Sequence, residues 1–265
     1  MQLNLSRYSM GFLELFPPDR VELRGSGTLL KVGTTYGILT AGHVWQVVRE
    51  LNVVGIYLYP PRNTEMHSIW EEVSLLDAVT FENRDEDEYG PDIAFVRLRR
   101  DKAASIELHG TFLSFERDEQ RIRAGAPEGS KVVDVVVGGV EAMGQKINIR
   151  HDRRLIVQRS LANVGRAKTI DDGRDGFDRL ELIPEPDPDF ETPHSYGGMS
   201  GGGCFRVYFP ESHGGEIEAI NFHLLGVAFY ETVVAGKADR IICHGRRSLT
   251  DKLLPAVRAK WPAEA

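Results

Sequence analysis

Apolar and polar residues alternate along much of this chain in short runs that stop at glycine, proline or charge. Val21–Leu23, Thr28–Val32 and Tyr36–Leu39 follow one another with period two, as strands that bury one face do. Ile56–Tyr59 reads as a further strand, closed by Pro60-Pro61, which cannot continue a ladder. Ile93, Phe95 and Arg97 alternate again, and Lys131–Val137 is a valine-rich strand of the buried kind. Two segments depart from period two. Val44–Leu51 is spaced as a short helix, and Ser248–Lys260 places apolar residues at 249, 253, 254 and 257 behind a Ser248 or Thr250 cap. Pro255 is expected to kink or restart that second helix. Residues 1–20 read as a lead-in ending at Phe16-Pro17-Pro18, and Ala124–Gly129 as the link between two halves, 1–123 and 124–265. Pro184-Glu185-Pro186-Asp187-Pro188 reads as a stiff, extended loop.

Composition narrows the function classes. A chain of 265 residues with 42% hydrophobic content, 27 glycines and 13 prolines suits many short strands around one large core or two small ones. The formal net charge of −7 argues against a phosphate-gripping nucleic-acid binder, and Lys146, Arg150, Arg153 and Arg154 read as a solvated hairpin face. Glu82–Glu88 is an acidic, solvated loop. No apolar run approaches a membrane span, and Met1–Arg7 lacks the basic-then-apolar pattern of a secretory leader. The histidines show no metal-ligand spacing, so neither metal nor cofactor is expected, and His67, His109, His151, His213, His223 and His244 read mostly as surface or core residues.

Three short blocks carry candidate chemistry. Ser200 stands in Gly198-Met199-Ser200-Gly201-Gly202-Gly203, where glycines let the chain turn tightly and bring N–H groups toward one point. Such a turn can present a hydroxyl nucleophile beside an oxyanion site. A serine needs a base, and Ile38–Val44 presents His43 at a strand end. The base needs an orienting anion, and Asp92 sits just before the Ile93–Leu98 strand. Each has a plainer reading as a strand-end histidine, a turn cap after Pro91 and a turn serine. Asp77, Asp85 and Asp87 are the fallback carboxylates.

The order His43, Asp92, Ser200 and the blocks around them resemble the trypsin-like (chymotrypsin-fold) serine peptidases, in style the bacterial ones. Thr40-Ala41-Gly42-His43, Asp92-Ile93-Ala94-Phe95-Val96 and Gly198–Gly202 match the family's three blocks, with Gly25-Ser26-Gly27-Thr28 and Leu224–Ala228 as supporting likenesses. The resemblance implies an all-β fold: two six-stranded antiparallel β-barrels packed at right angles, with a closing C-terminal helix. It implies peptide-bond hydrolysis with His43 as base then acid, Asp92 orienting it, Ser200 attacking, and the Gly198 and Ser200 N–H groups holding the oxyanion. Protein or peptide substrates follow, with a pocket near His194, Ala228, Phe229 and Tyr230. Extracellular members carry several disulfides, so only two cysteines, Cys204 and Cys243, point to a cytoplasmic protein.

Departures from the family pattern matter as well. Met199 replaces the carboxylate that pairs with a trimmed N-terminus, so activation by trimming is not expected. Gly203 replaces a proline, and the turn Tyr196–Gly203 is expected to be loose until substrate or an activating protein partner orders it. The alternative is a trypsin-fold protein of weak or no activity that serves as a protein-interaction module.

Overall fold

The computed structural model describes residues 5–16, 20–59, 67–82, 90–139, 146–150, 153–157, 160–171, 176–185, 194–211 and 219–262. The first half contributes strands β1 (Ser9–Phe16), β2 (Arg20–Val32) and β3 (Thr35–Thr40), then helix α1 (Gly42–Val48). It continues with β4 (Val53–Leu58), β5 (His67–Glu72), β6 (Asp77–Phe81) and β7 (Ile93–Arg97). Helix α2 (Arg100–Glu107), the two-residue β8 (Leu113–Ser114) and helix α3 (Phe115–Ala124) complete it. These strands form one sheet in the order β5-β4-β1-β2-β3-β7-β6, with β8 attached to β2.

The second half contributes β9 (Ser130–Gly139), the separate hairpin β10 (Lys146–Arg150) and β11 (Arg153–Val157), then β12 (Ser160–Asp171) and β13 (Arg179–Pro184). After these come β14 (Gly203–Pro210), β15 (Asn221–Val234) and β16 (Lys237–His244). Strands β12-β13-β16-β15-β14-β9 close into a six-stranded barrel. A π-helical turn, Ser248–Leu253, runs directly into α4 (Leu254–Lys260), and Pro255 falls just after the change from π to α geometry, a break in the regular hydrogen-bond ladder.

The expectation of two closed barrels is therefore met by one barrel and one sheet that is not closed. Its edge strands β5 and β6 follow one another in the chain through the 3-10 turn Val73–Leu75. The edges meet at that turn, yet no ladder joins them among the described residues. A second correction concerns the presumed lead-in. Residues Ser9–Phe16 form β1, which pairs with both β2 and β4 and buries Met10, Phe12 and Leu13 completely. Helices α2 and α3 were not legible either: α3 reads FERDEQRIRA and buries only Phe115 and Asp118, too little apolar surface to show a periodic face.

Strand β2 shows how the two halves join. Its outer end alternates, with Val21 and Leu23 inside and Glu22 and Arg24 outside, Arg24 pairing with Glu14 and Glu22. From Gly25 to Leu30 every residue is buried, because the second barrel covers the other face. One apolar core accordingly runs through both halves, joining Leu30, Leu39 and Phe95 to Val137, Phe205 and Leu224 and to Leu249 and Leu253 of the π-helical turn. The fully buried Asp118 carboxylate accepts the Leu224 N–H and pairs with Arg246, fastening α3 to the barrel.

Candidate active site

Strand β3 runs into α1 through Ala41, and His43 stands in the first turn of that helix with its side chain 47% exposed. Asp92, in the turn before β7, grips it at two points. The ring Nδ1 meets Asp92 Oδ2 at 2.6 Å, and the His43 backbone N–H donates to Oδ1 at 2.7 Å. With Nδ1–H donated to the carboxylate, Nε2 is left with its lone pair outward. Gly42 permits this approach, since a Cβ there would stand 2.8 Å from Asp92 Oδ1 and 3.2 Å from the Phe81 carbonyl. Beneath the pair, the Asp92 N–H donates to Nε2 of the buried His244 at 3.0 Å.

Ser200 comes from the second barrel, at the turn that leads into β14. Its Oγ faces the Phe229 carbonyl at 3.4 Å, a long contact, and no hydrogen bond joins it to His43 among the described residues. Hydrogen bonds tie the turn to both halves. Ser26 of β2 donates its N–H to the Ser200 carbonyl at 2.7 Å and its Oγ to the Gly198 carbonyl at 2.6 Å. Gly201 N–H donates to the Ala228 carbonyl at 2.7 Å, and Ala228 N–H returns a bond to Gly202 at 2.9 Å. Glu231 accepts from Ser195 Oγ at 2.6 Å and from the Tyr196 N–H. Gly201 has φ 89°, and a Cβ there would stand 1.9 Å from the Ser26 carbonyl, so only glycine fits. The N–H groups of Gly198 and Ser200 donate to no acceptor among the described residues.

Met199 explains how the turn does without a buried ion pair. Its side chain is 1% exposed and packs with Val136, Leu182, Cys204 and Cys243 in the barrel interior. Asn163 Nδ2 donates toward its Sδ at 3.0 Å. Burying such a side chain stabilises the turn by roughly 1.5–3 kcal/mol without any charge. Gly203 sits in the β14 ladder opposite Val137 and Val227, where a Cβ would meet the Phe205 ring at 2.6 Å. Cys204 and Cys243 are both buried and free, and a hydrogen bond between the thiols, then burial, push the Cys204 thiol well up.

The residues expected to line a pocket are spread out. His194 is exposed, and its carbonyl accepts the Ala238 N–H at 3.0 Å. Ala228 serves the turn through its backbone, while the Phe229 ring is buried against His244. Tyr230 is half-buried and packs on the interior of the first sheet. An open hollow of about 600 Å³ lined by Trp45, Arg49, Leu51 and Glu72 lies beyond α1 and includes none of the residues named for chemistry. Of the fallback carboxylates, Asp77 is exposed at the start of β6 and bonded to Lys260 at 2.6 Å, while Asp85 and Asp87 lie outside the described residues. So does most of the Pro184–Pro188 loop.

Three residues with evident parts in the site were missed by sequence reasoning: Ser26 as a clamp, Glu231 and His244. No local pattern marks the last two. Glu231 meets the turn across 35 and 36 chain positions and His244 meets Asp92 across 152, so nothing in a short window reveals either.

No family profile matches the sequence, and neither does any curated protein. In structure the chain is similar to a thermostable serine protease, AL20, from an extremophilic microorganism, with a TM-score of 0.51 at 13% identity over 95% of this chain and 97% of that one. No helix among the described residues is long and apolar enough to cross a membrane. With a closed antiparallel barrel beside a second sheet that is not closed, and that likeness over nearly the full length, the chain has a trypsin-like serine-protease fold.

Proposed function

We propose that this protein is a serine endopeptidase acting through an acyl-enzyme, with His43, Asp92 and Ser200 as its reacting group. The observation that carries the reading is the double grip of Asp92 on His43. It holds the imidazole in the tautomer whose Nε2 can take the proton from Ser200 Oγ as that oxygen attacks a carbonyl carbon. His43 then gives the proton to the leaving amine, and water repeats the sequence on the ester. The Gly198 and Ser200 N–H groups, which donate to no acceptor among the described residues, would receive the oxyanion. Substrates are proteins or peptides, and the two free, buried cysteines favour a reducing site of action such as the cytoplasm.

The contact from Ser200 Oγ to the Phe229 carbonyl favours a second reading, an interaction module whose nucleophile is idle. Nucleophile–base bonds often tighten only once substrate is bound, which is compatible with the absence of a Ser200–His43 hydrogen bond among the described residues. An activating partner would act at that bond, since the turn itself is already anchored. A fluorophosphonate probe separates the readings. Labelling at Ser200, lost in Ser200→Ala together with peptide hydrolysis by a factor of about 10⁴ or more, is the expected outcome. Absence of labelling and of hydrolysis, with and without cell extract, leaves the interaction module.

A further inference from the structure

His244 ends β16 on the closed barrel, yet its fully buried ring reaches the pair carried by the other sheet. Nε2 accepts the Asp92 N–H at 3.0 Å. One ring face stacks on Phe229 with centroids 4.2 Å apart and planes 13° apart, and the Phe177 ring meets it edge-on at 5.8 Å. Phe229 is the residue whose carbonyl faces Ser200 Oγ. One imidazole thus touches both the backbone that sets Asp92 and the residue beside the nucleophile, across the junction of the two halves.

We propose that His244 is a positioning residue that docks the His43–Asp92 pair onto the Ser200 barrel, acting as a neutral hydrogen-bond acceptor. The proposal rests on the reading of His43, Asp92 and Ser200 as the reacting group. The acceptor role excludes the charged form, because imidazolium carries an N–H at both nitrogens and would set a donor against the Asp92 N–H. Its surroundings keep the ring neutral. The charged groups facing it are Asp92 from the turn before β7, and Asp178 and Arg179 at the start of β13; Phe229 and Phe177 bring no charge. Burial pushes its pKa down to about 4, the two aspartates opposing and Arg179 assisting. Nδ1 lies beside the Asp178 backbone without a hydrogen bond of good geometry, so the bond to Asp92 is the polar contact that fixes the ring.

Two variants test this, His244→Phe, which keeps ring volume and stacking but has no acceptor, and His244→Gln, which keeps an acceptor near the Nε2 position. The first readout is the proton NMR signal of the His43 Nδ1–H bridging to Asp92 and its exchange with solvent; the second is the labelling rate of Ser200 by a fluorophosphonate. In His244→Phe the bridging proton should exchange about tenfold faster and labelling should slow about tenfold, the scale of one lost hydrogen bond, with KM for a peptide unchanged. His244→Gln should restore both to within about threefold of the parent. If His244→Phe does not fold, His244→Leu serves the same comparison. Parent-like proton exchange and labelling in His244→Phe overturn the proposal, and equal losses in Phe and Gln variants reduce His244 to packing. If the parent protein does not label at all, the hydrolase reading fails, and the bridging proton alone decides the docking role.

Discussion

The sheet that carries His43 and Asp92 and the barrel that carries Ser200 hold their groups by different means. In the first, the group is set by polar contacts at an exposed edge: the His43 side chain is 47% exposed and the Asp92 side chain 19%. Two hydrogen bonds to one carboxylate, one from the His43 backbone and one from its ring, set the residue, and the sheet behind them is not closed. In the second, a methionine buried inside the closed barrel and backbone bonds to β15 hold the nucleophile turn, and Ser26 of β2 clamps it from the first sheet. Exposed polar geometry is cheap to alter chemically and costs little stability when altered. Buried apolar geometry is the reverse, since removing it opens a cavity.

The comparison is most sharply broken at Asp92. In Asp92→Asn the amide would donate to Nδ1 and hold the opposite tautomer, leaving Nε2 protonated and unable to act as base. Hydrolysis should fall by about 10⁴ while the melting temperature changes little, because the residue is not core. Kinetics and calorimetry on the same preparation check both halves of that statement. A comparable loss of stability would show that the pair also holds the fold together.

Met199 should behave in the opposite sense. Met199→Ala removes a side chain that is 1% exposed inside the closed barrel and should cost about 2–5 kcal/mol by denaturant unfolding. Activity at temperatures where the variant stays folded should fall far less than in Asp92→Asn, since Ser26, Ala228 and Glu231 still anchor the turn. Loss of activity without loss of stability would mean that the methionine positions the nucleophile directly.

The smallest expected effect lies at the junction of the two regions, in the response to acid. Burial holds His244 at a pKa of about 4 against 6.5 for a free imidazole, and His223 is lowered to about 4 in the same way. Between those values the unfolded chain binds protons that the folded chain does not. Stability therefore falls as pH drops through that window and the loss is complete below the folded value. The His244 share is of order 3 kcal/mol at most. Denaturant unfolding at pH 7, 5 and 4 should show the decline, and His244→Gln should remove part of it. An unchanged slope in that variant would place the acid sensitivity elsewhere.

Much of the molecule is legible in short windows. The apolar runs Thr28–Val32, Tyr36–Leu39 and Lys131–Val137 fall within β2, β3 and β9, because a short apolar run bounded by turn residues marks a strand even where, as here, both of its faces become buried. The helix expected after His43 is α1, and the C-terminal helical spacing is real, though a π-helical turn starts it. The three blocks around His43, Asp92 and Ser200 are also local patterns: a strand end, a strand start and a glycine turn.

What the tertiary structure alone decided are the meetings of residues distant in the chain. That Ser9–Phe16 is a central strand depends on β2 and β4 lying on either side of it. Whether a sheet closes depends on its edges, and no ladder joins β5 to β6 among the described residues. Ser26 reaches Gly198 across 172 positions, and His244 reaches Asp92 across 152. A serine or histidine in such a place looks like any other in its own window. Its role follows from burial and from the one polar group that the fold brings opposite it.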